Sequence, residues 1–153
     1  MKYLFSLLYF LLFIPLIAQE DKKEDTKWEV ANPEGDFNYQ EHTFTTEEGT
    51  WMNLDVSPDG KTIVFDMLGD IYTMPISGGT ATALRTGIPF EIQPRFSPDG
   101  SKISFTSDAG GGDNIWVMDK DGSNAKQITK EKFRLLNNSY WMPDGNYLVA
   151  RKH

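Results

Sequence analysis

The chain has 153 residues, no cysteine and a formal net charge of −7. Without cysteine there is no disulfide, no thiolate metal site, no cysteine nucleophile and no lipoprotein-type acylation. The acidic balance leaves no basic stripe for nucleic acid and no basic amphipathic helix for a membrane surface.

Residues 1–18 read as an export signal: Lys2 gives a short basic start, Leu4 to Ile17 an apolar stretch, and Ala18 a small residue at the cleavage point. A retained membrane anchor is the alternative. Against it, the stretch is shorter than the roughly 20 residues of a spanning helix, and Pro15 lies near its end. Export places the mature chain in the periplasm or outside the cell, with no membrane contact after cleavage. Residues 19–50 form an acidic leader, ten acids against Lys22, Lys23 and Lys27. Gln19 to Lys27 is polar and without periodicity, the pattern of a spacer. Asn38 to Thr46, where Tyr39, His42 and Phe44 stand among threonines, favours a strand that closes a blade made elsewhere.

From Trp51 onward the chain repeats itself. Ser57-Pro58-Asp59-Gly60 returns 40 residues later as Ser97-Pro98-Asp99-Gly100 and 45 residues after that as Met142-Pro143-Asp144-Gly145. In each, proline presets φ, aspartate bonds the neighbouring backbone and glycine accepts a positive φ, so each phrase is a tight turn. In repeat 51–87 the expected strands are Met52 to Val56, Thr62 to Met67, Ile71 to Met74 and Ala81 to Leu84. Repeat 90–131 gives Glu91 to Phe96, Lys102 to Ser107, Asn114 to Asp119 and Ala125 to Thr129. Repeat 133–153 is incomplete, offering only Leu136 to Trp141 and Tyr147 to Ala150. Four short strands per 40-odd residues predict an all-β partial β-propeller of four-stranded antiparallel blades, about two and a half of them. Propellers close with roughly four to eight blades, so the chain is expected to be the opening of a larger ring.

These residues resemble the Pro-Asp variant of the WD-type repeat found in TolB-like propellers. The resemblance rests on Phe96 to Gly100, Ile103 to Ser107, Asn114 to Asp119, Asp121-Gly122 and Gln127-Ile128-Thr129. It covers Trp51 to the end and is weakest at Val56 and Met142. Glu47 to Val56 and Asp113 to Met118 also look like the amino-terminal part of large exported bacterial amidohydrolases. That likeness implies a non-catalytic scaffold or substrate-gating module ahead of a downstream hydrolase domain, where any divalent metal would lie. Its expected partners are that domain and a protein or peptide in the channel. A TolB-like periplasmic binding scaffold and the propeller of a prolyl-oligopeptidase-like peptidase are the alternatives.

No catalytic, cofactor-binding or metal-binding residue is assigned from the sequence. His42 and His153 stand alone, with no His-x-His, and there is no Gly-x-Ser-x-Gly elbow. Asp108-Ala109-Gly110-Gly111-Gly112-Asp113-Asn114 offers oxygen ligands for a hard cation, yet lacks the alternate spacing of a calcium loop and falls where the repeat needs a hairpin. Asp59, Asp99 and Asp144 stand in equivalent turns and read as structural. Trp51, Trp116 and Trp141 line either a ligand surface or, for the latter two especially, the packing between blades. Asn137-Asn138-Ser139 matches a glycosylation sequon by letter only, in a chain that reads as bacterial.

An isolated stack of blades leaves apolar flanks and unpaired edges in water. The isolated chain is therefore expected to be poorly soluble or partly molten, binding a hydrophobic dye and melting broadly in calorimetry. A sharp cooperative melt of the monomer would contradict this.

Overall fold

The computed structural model describes Val30, Gln40 and residues 42–153. The apolar start and most of the acidic leader lie outside these described residues, as does the first part of the strand expected over Asn38 to Thr46. Its remaining residues, His42 to Thr46, carry no strand. There the Thr46 hydroxyl and main chain of Glu48 close a local turn.

Ten strands follow: β1 (Leu54–Val56), β2 (Thr62–Met67), β3 (Asp70–Pro75), β4 (Thr82–Arg85), β5 (Glu91–Phe96), β6 (Lys102–Ser107), β7 (Asn114–Asp119), β8 (Lys126–Gln127), β9 (Leu136–Trp141) and β10 (Leu148–Lys152). They form antiparallel meanders β1-β2-β3-β4 and β5-β6-β7-β8 and a hairpin of β9 and β10. Each turn motif joins the first strand of its sheet to the second, with the Gly60, Gly100 and Gly145 amides donating back to the first residue of the turn. No helix occurs among the described residues.

Two strands are shorter than their sequence suggests, and in both a side chain takes over the ladder. β1 begins at Leu54 because the amide of Asn53 is bonded at 2.8 Å by the Asp66 carboxylate. β8 stops at Gln127 because the Thr129 hydroxyl accepts the Ile115 amide at 2.9 Å and donates to Asn114 Oδ1 at 2.7 Å.

Strand alternation gives each sheet two faces. Cross-strand partners Leu54 and Phe65, Val56 and Ile63, and Phe65 and Tyr72 place one face of the first sheet away from the second. Val64 and Ile71 face the other way and meet Ile103, Phe105 and Met118 of the second sheet, with Leu84, Phe96, Trp116 and Ala125 around them. The core thus lies in the seam between blades. Polar pins complete the seam. Asp66, 2% exposed, accepts hydrogen bonds from Asn53 N at 2.8 Å, Asn53 Nδ2 at 2.8 Å and Gln93 N at 2.6 Å. Glu91, also 2% exposed, receives Arg85 through Nε and Nη2 and the Ser107 hydroxyl.

The two flanks are open. Leu54 and Val56 are exposed on the first, Tyr147 and Val149 at the third blade. Thr45 to Gly49 lie against Met52, Phe65, Met67 and Met74, lining a groove of about 530 Å³ on the first flank.

Three substitutions test the seam by urea denaturation, the first as a control outside it. Gly60→Ala, at φ 70° with open space around it, is expected to cost about 1 kcal/mol of backbone strain. Gly122→Ala meets the main-chain oxygen of Leu84 at 2.6 Å and should cost clearly more, since backbone of two blades must part. Equal losses would show that the Asp121-Gly122 turn does not seat on the first blade. Asp66→Ala strands two buried backbone donors and is expected to lose about 3 kcal/mol; a loss below about 1 kcal/mol would remove Asp66 as a seam pin.

Candidate functional site

The first strand of each blade is an edge strand of its sheet, and β1, β5 and β9 nonetheless pack on one another across sheets. The outer strands β4 and β8 pack chiefly on their own sheets. The three first strands therefore converge on the axis of the blade stack. Polar positions on these strands recur at fixed distances ahead of the turn motif. Asn53, Gln93 and Asn138 stand four residues before its first residue, and Asp55, Arg95 and Tyr140 two before.

The first row is a chain of blade-to-blade bonds. Gln93 and Asn138 each occupy a bulge, with the register of β5 against β6 and of β9 against β10 slipping by one residue. Both take left-handed backbone, φ 60° and 52°, which is costly for a residue with a Cβ. The preceding blade holds each amide in place: Gln93 N donates to Asp66 Oδ2, and Asn138 N donates to Gln93 Oε1 at 2.8 Å. Thr106 Oγ1 donates to the same Gln93 oxygen at 3.2 Å.

The second row alternates with buried positions. Pro94 is buried, and Ser139, also buried, bonds Ser104 Oγ at 3.0 Å across the second seam. Asp55 accepts the Phe96 amide at 2.8 Å and its neighbour Val56 N at 3.0 Å. Arg95 spans all three inner strands. Its Nη1 donates to Pro94 O at 2.7 Å and to Leu54 O on β1 at 3.2 Å, while its Cζ lies 5.6 Å from the ring centroid of Tyr140 on β9. No carboxylate of the described residues forms an ion pair with it.

The residues singled out by sequence fall elsewhere. Asp59 and Asp99 accept the Ser57 and Ser97 hydroxyls at 2.6 Å, and Asp144 accepts the Asn146 amide at 3.0 Å, so each serves its own turn. The Ser97 hydroxyl, with the Ser101 amide and hydroxyl, holds the Asp99 carboxyl down at about 2. Grooves of about 620 and 640 Å³ recur beside successive turns, and their recurrence makes them a property of the repeat.

Two of the oxygen-bearing side chains in the loop from Asp108 to Asn114 are engaged in the fold. Asp108 accepts the Phe90 amide at 2.8 Å, and Asn114 bonds Gly112 O, Glu131 O, Glu131 N and the Thr129 hydroxyl. Burial, and then the Asp108 charge, push the Asp113 carboxyl up. Among the described residues no three His, Cys, Asp or Glu side chains are grouped to hold a metal.

Trp116 stacks on Phe105 at 6.4 Å, and Trp141 Nε1 donates to Arg95 O at 3.2 Å, which puts it in the second seam. Trp51 is 100% exposed. His42 is exposed in the leader; His153 lies 3.2 Å from Asn137 Oδ1 at the other end of the chain. The sequon letters fall within β9, where Ser139 is buried.

The inner rows were missed by reading motif residues alone. Aligning the three repeats on their turns and noting polar side chains four and two residues earlier would have found them.

Comparison with known proteins matches residues 36–153 to the TolB beta propeller domain model, PD40. An uncharacterized protein of Agrobacterium fabrum is 38% identical over 81 residues, covering 50% of this chain and 28% of that protein. Tricorn protease homolog 1 of Streptomyces coelicolor is 30% identical over 92 residues, 60% of this chain and 9% of the relative. The crystallised TolB-type protein of Agrobacterium tumefaciens superposes with a TM-score of 0.63 at 30% identity, covering 69% of this chain and 40% of its own. The chain thus spans well under half of each of these proteins. With its repeats, meander blades and converging inner strands matched over residues 36–153, the chain belongs to the TolB β-propeller domain family.

Proposed function

We propose that this chain is the opening propeller segment of an exported hydrolase, in which the inner rows present or gate a peptide-like substrate for a separate catalytic domain. The observation that carries it is the convergence of two polar rows, Asn53, Gln93, Asn138 and Asp55, Arg95, Tyr140, on the axis of the stack. Of these, the Arg95 Nε and Nη2 groups and the Tyr140 hydroxyl make no hydrogen bond among the described residues and can serve an extended polar chain, while no side chain is a nucleophile activated by a base. The described residues do not fit the divalent metal of an amidohydrolase, since His42 and His153 are isolated and no three ligating side chains meet. The metal and its chemistry therefore belong, in this reading, to a hydrolase domain beyond the propeller. The apolar run from Leu4 to Ile17 supports export to the periplasm or outside.

The likeness of Glu47 to Val56 and Asp113 to Met118 to exported amidohydrolases favours that class of hydrolase. The match to a tricorn protease homologue favours a second reading, in which the same propeller serves a peptidase. A TolB-like docking scaffold without a catalytic domain is the third.

The full reading frame, expressed and assayed for amide hydrolysis on acyl-amino acid and short peptide substrates, separates them. Hydrolysis that a chelator abolishes and zinc restores is the expected outcome. Hydrolysis blocked by a serine-directed phosphonate would replace the amidohydrolase with the peptidase. Absence of any hydrolysis would leave the docking scaffold.

A further inference from the structure

The Arg95 side chain touches the inner strands on both sides of its own. It contacts the Leu54 carbonyl of β1 and the Tyr140 ring of β9. Only Nη1 of its guanidinium bonds to the protein among the described residues, and both partners are neutral main-chain oxygens. The group is half-buried, which removes part of its hydration without supplying a counter-ion. Three cations of the described residues do meet a carboxylate, Arg85 with Glu91, Lys102 with Asp119 and Lys152 with Glu131.

We infer that Arg95 is an anchor for a ligand carboxylate entering along the axis of the blade stack. Nε and Nη2, which bond to nothing else in the described residues, lie on one edge of the guanidinium plane and match the two oxygens of a carboxylate. The Tyr140 ring and the Leu54 carbonyl fix the plane of the group before a ligand arrives, so little rotamer freedom is lost on binding. Gln93 and Asn138 are equivalent to each other one row away, and the Asn138 side-chain amide offers further polar contact. Asp55 is the opposing influence. Its carboxylate stands in the same row on β1, where it accepts the amides of Phe96 and Val56. The site therefore takes one carboxylate and disfavours a cluster of them. Two sources share this chemistry: the free C-terminus of a peptide and an acidic side chain within one.

The inference rests on the reading that the axis admits a peptide, and the test keeps the two apart. The full chain is titrated, with NMR shifts of the Trp side-chain N–H groups or calorimetry as readout, against three probes: acetyl-triglycine acid, acetyl-triglycine amide, and an acetyl-glycyl-glutamyl amide. At least one acid probe is expected to bind about tenfold or more tighter than the plain amide. Preference for the first identifies a C-terminus as the ligand, preference for the third an acidic side chain. Arg95→Gln should erase the preference, Arg95→Lys should keep a weakened one, and Asp55→Asn should strengthen it. The lysine variant retains the charge and guards against a glutamine variant that fails to fold. Equal binding of acids and amide, or a preference that survives Arg95→Gln, overturns the anchor while leaving the channel. Binding of none of the probes overturns both.

Discussion

Everything in this molecule depends on the fact that a single four-stranded sheet has two faces and can cover neither by itself. Val64 and Ile71 on one sheet are buried only because Ile103, Phe105 and Met118 of the next lie against them. The seam, and not the blade, is therefore the unit of stability, as in other repeat architectures. The seams need not be alike. The first is an apolar cluster pinned by Asp66 and by the pair of Arg85 and Glu91. The second brings Ser104 against Ser139, and Trp141 against the Arg95 carbonyl. Hydroxyl and indole hydrogen bonds thus join the second seam where an apolar cluster joins the first.

The same constraint decides where polar side chains collect. An innermost strand has a ladder partner on one side only, and its other edge presents free amides and carbonyls to the axis. Burying such an edge unpaired is expensive, and the chain meets the need with side chains from the preceding blade. Asp66 takes the Gln93 amide, and Gln93 in turn takes the Asn138 amide. The two left-handed bulge residues are held by these bonds, which offset a backbone cost of order 1–3 kcal/mol each. Strain and polarity thus arrive at the axis together, through one mechanism.

This explains which features the sequence discloses. Turn motifs and six-residue strands are local: proline, aspartate and glycine fix the turn, and alternation fixes the strand, so β2, β5, β6, β7 and β9 are found with the bounds the residues suggest. The ends of β1 and β8 are not local. They depend on the Asp66 carboxylate and the Thr129 hydroxyl displacing main-chain partners across the sheet. The inner rows are less visible still. Asn53 and Asn138 are alike and Gln93 is the longer amide, but Asp55, Arg95 and Tyr140 share no chemistry at all. What they share is a distance from a turn, which becomes informative only once the repeats are superimposed. Trp51 carries the opposite lesson, since a large aromatic at a strand entrance suggests packing and the residue is fully exposed.

The difference between the two rows is the physical basis for separating scaffold from site. A residue of the first row accepts or donates a bond on which the next blade depends, so its chemistry is constrained to a hydrogen-bonding group of fixed reach. In the second row Arg95 stands between Pro94 and Phe96 and Tyr140 between Ser139 and Trp141, neighbours that carry the seams, whereas Asp55 stands between exposed Leu54 and Val56 and itself accepts the Phe96 amide. Arg and Tyr can then occupy equivalent places without disturbing the stack. Freedom of this kind at an axis-facing position is what allows a repeated fold to acquire a particular ligand, because the site is changed without changing the seam. A carboxylate, a guanidinium and a phenol on three converging strands also make the axis chemically asymmetric, although the backbone around it is nearly repeated. A ligand entering there meets a direction as well as a pore.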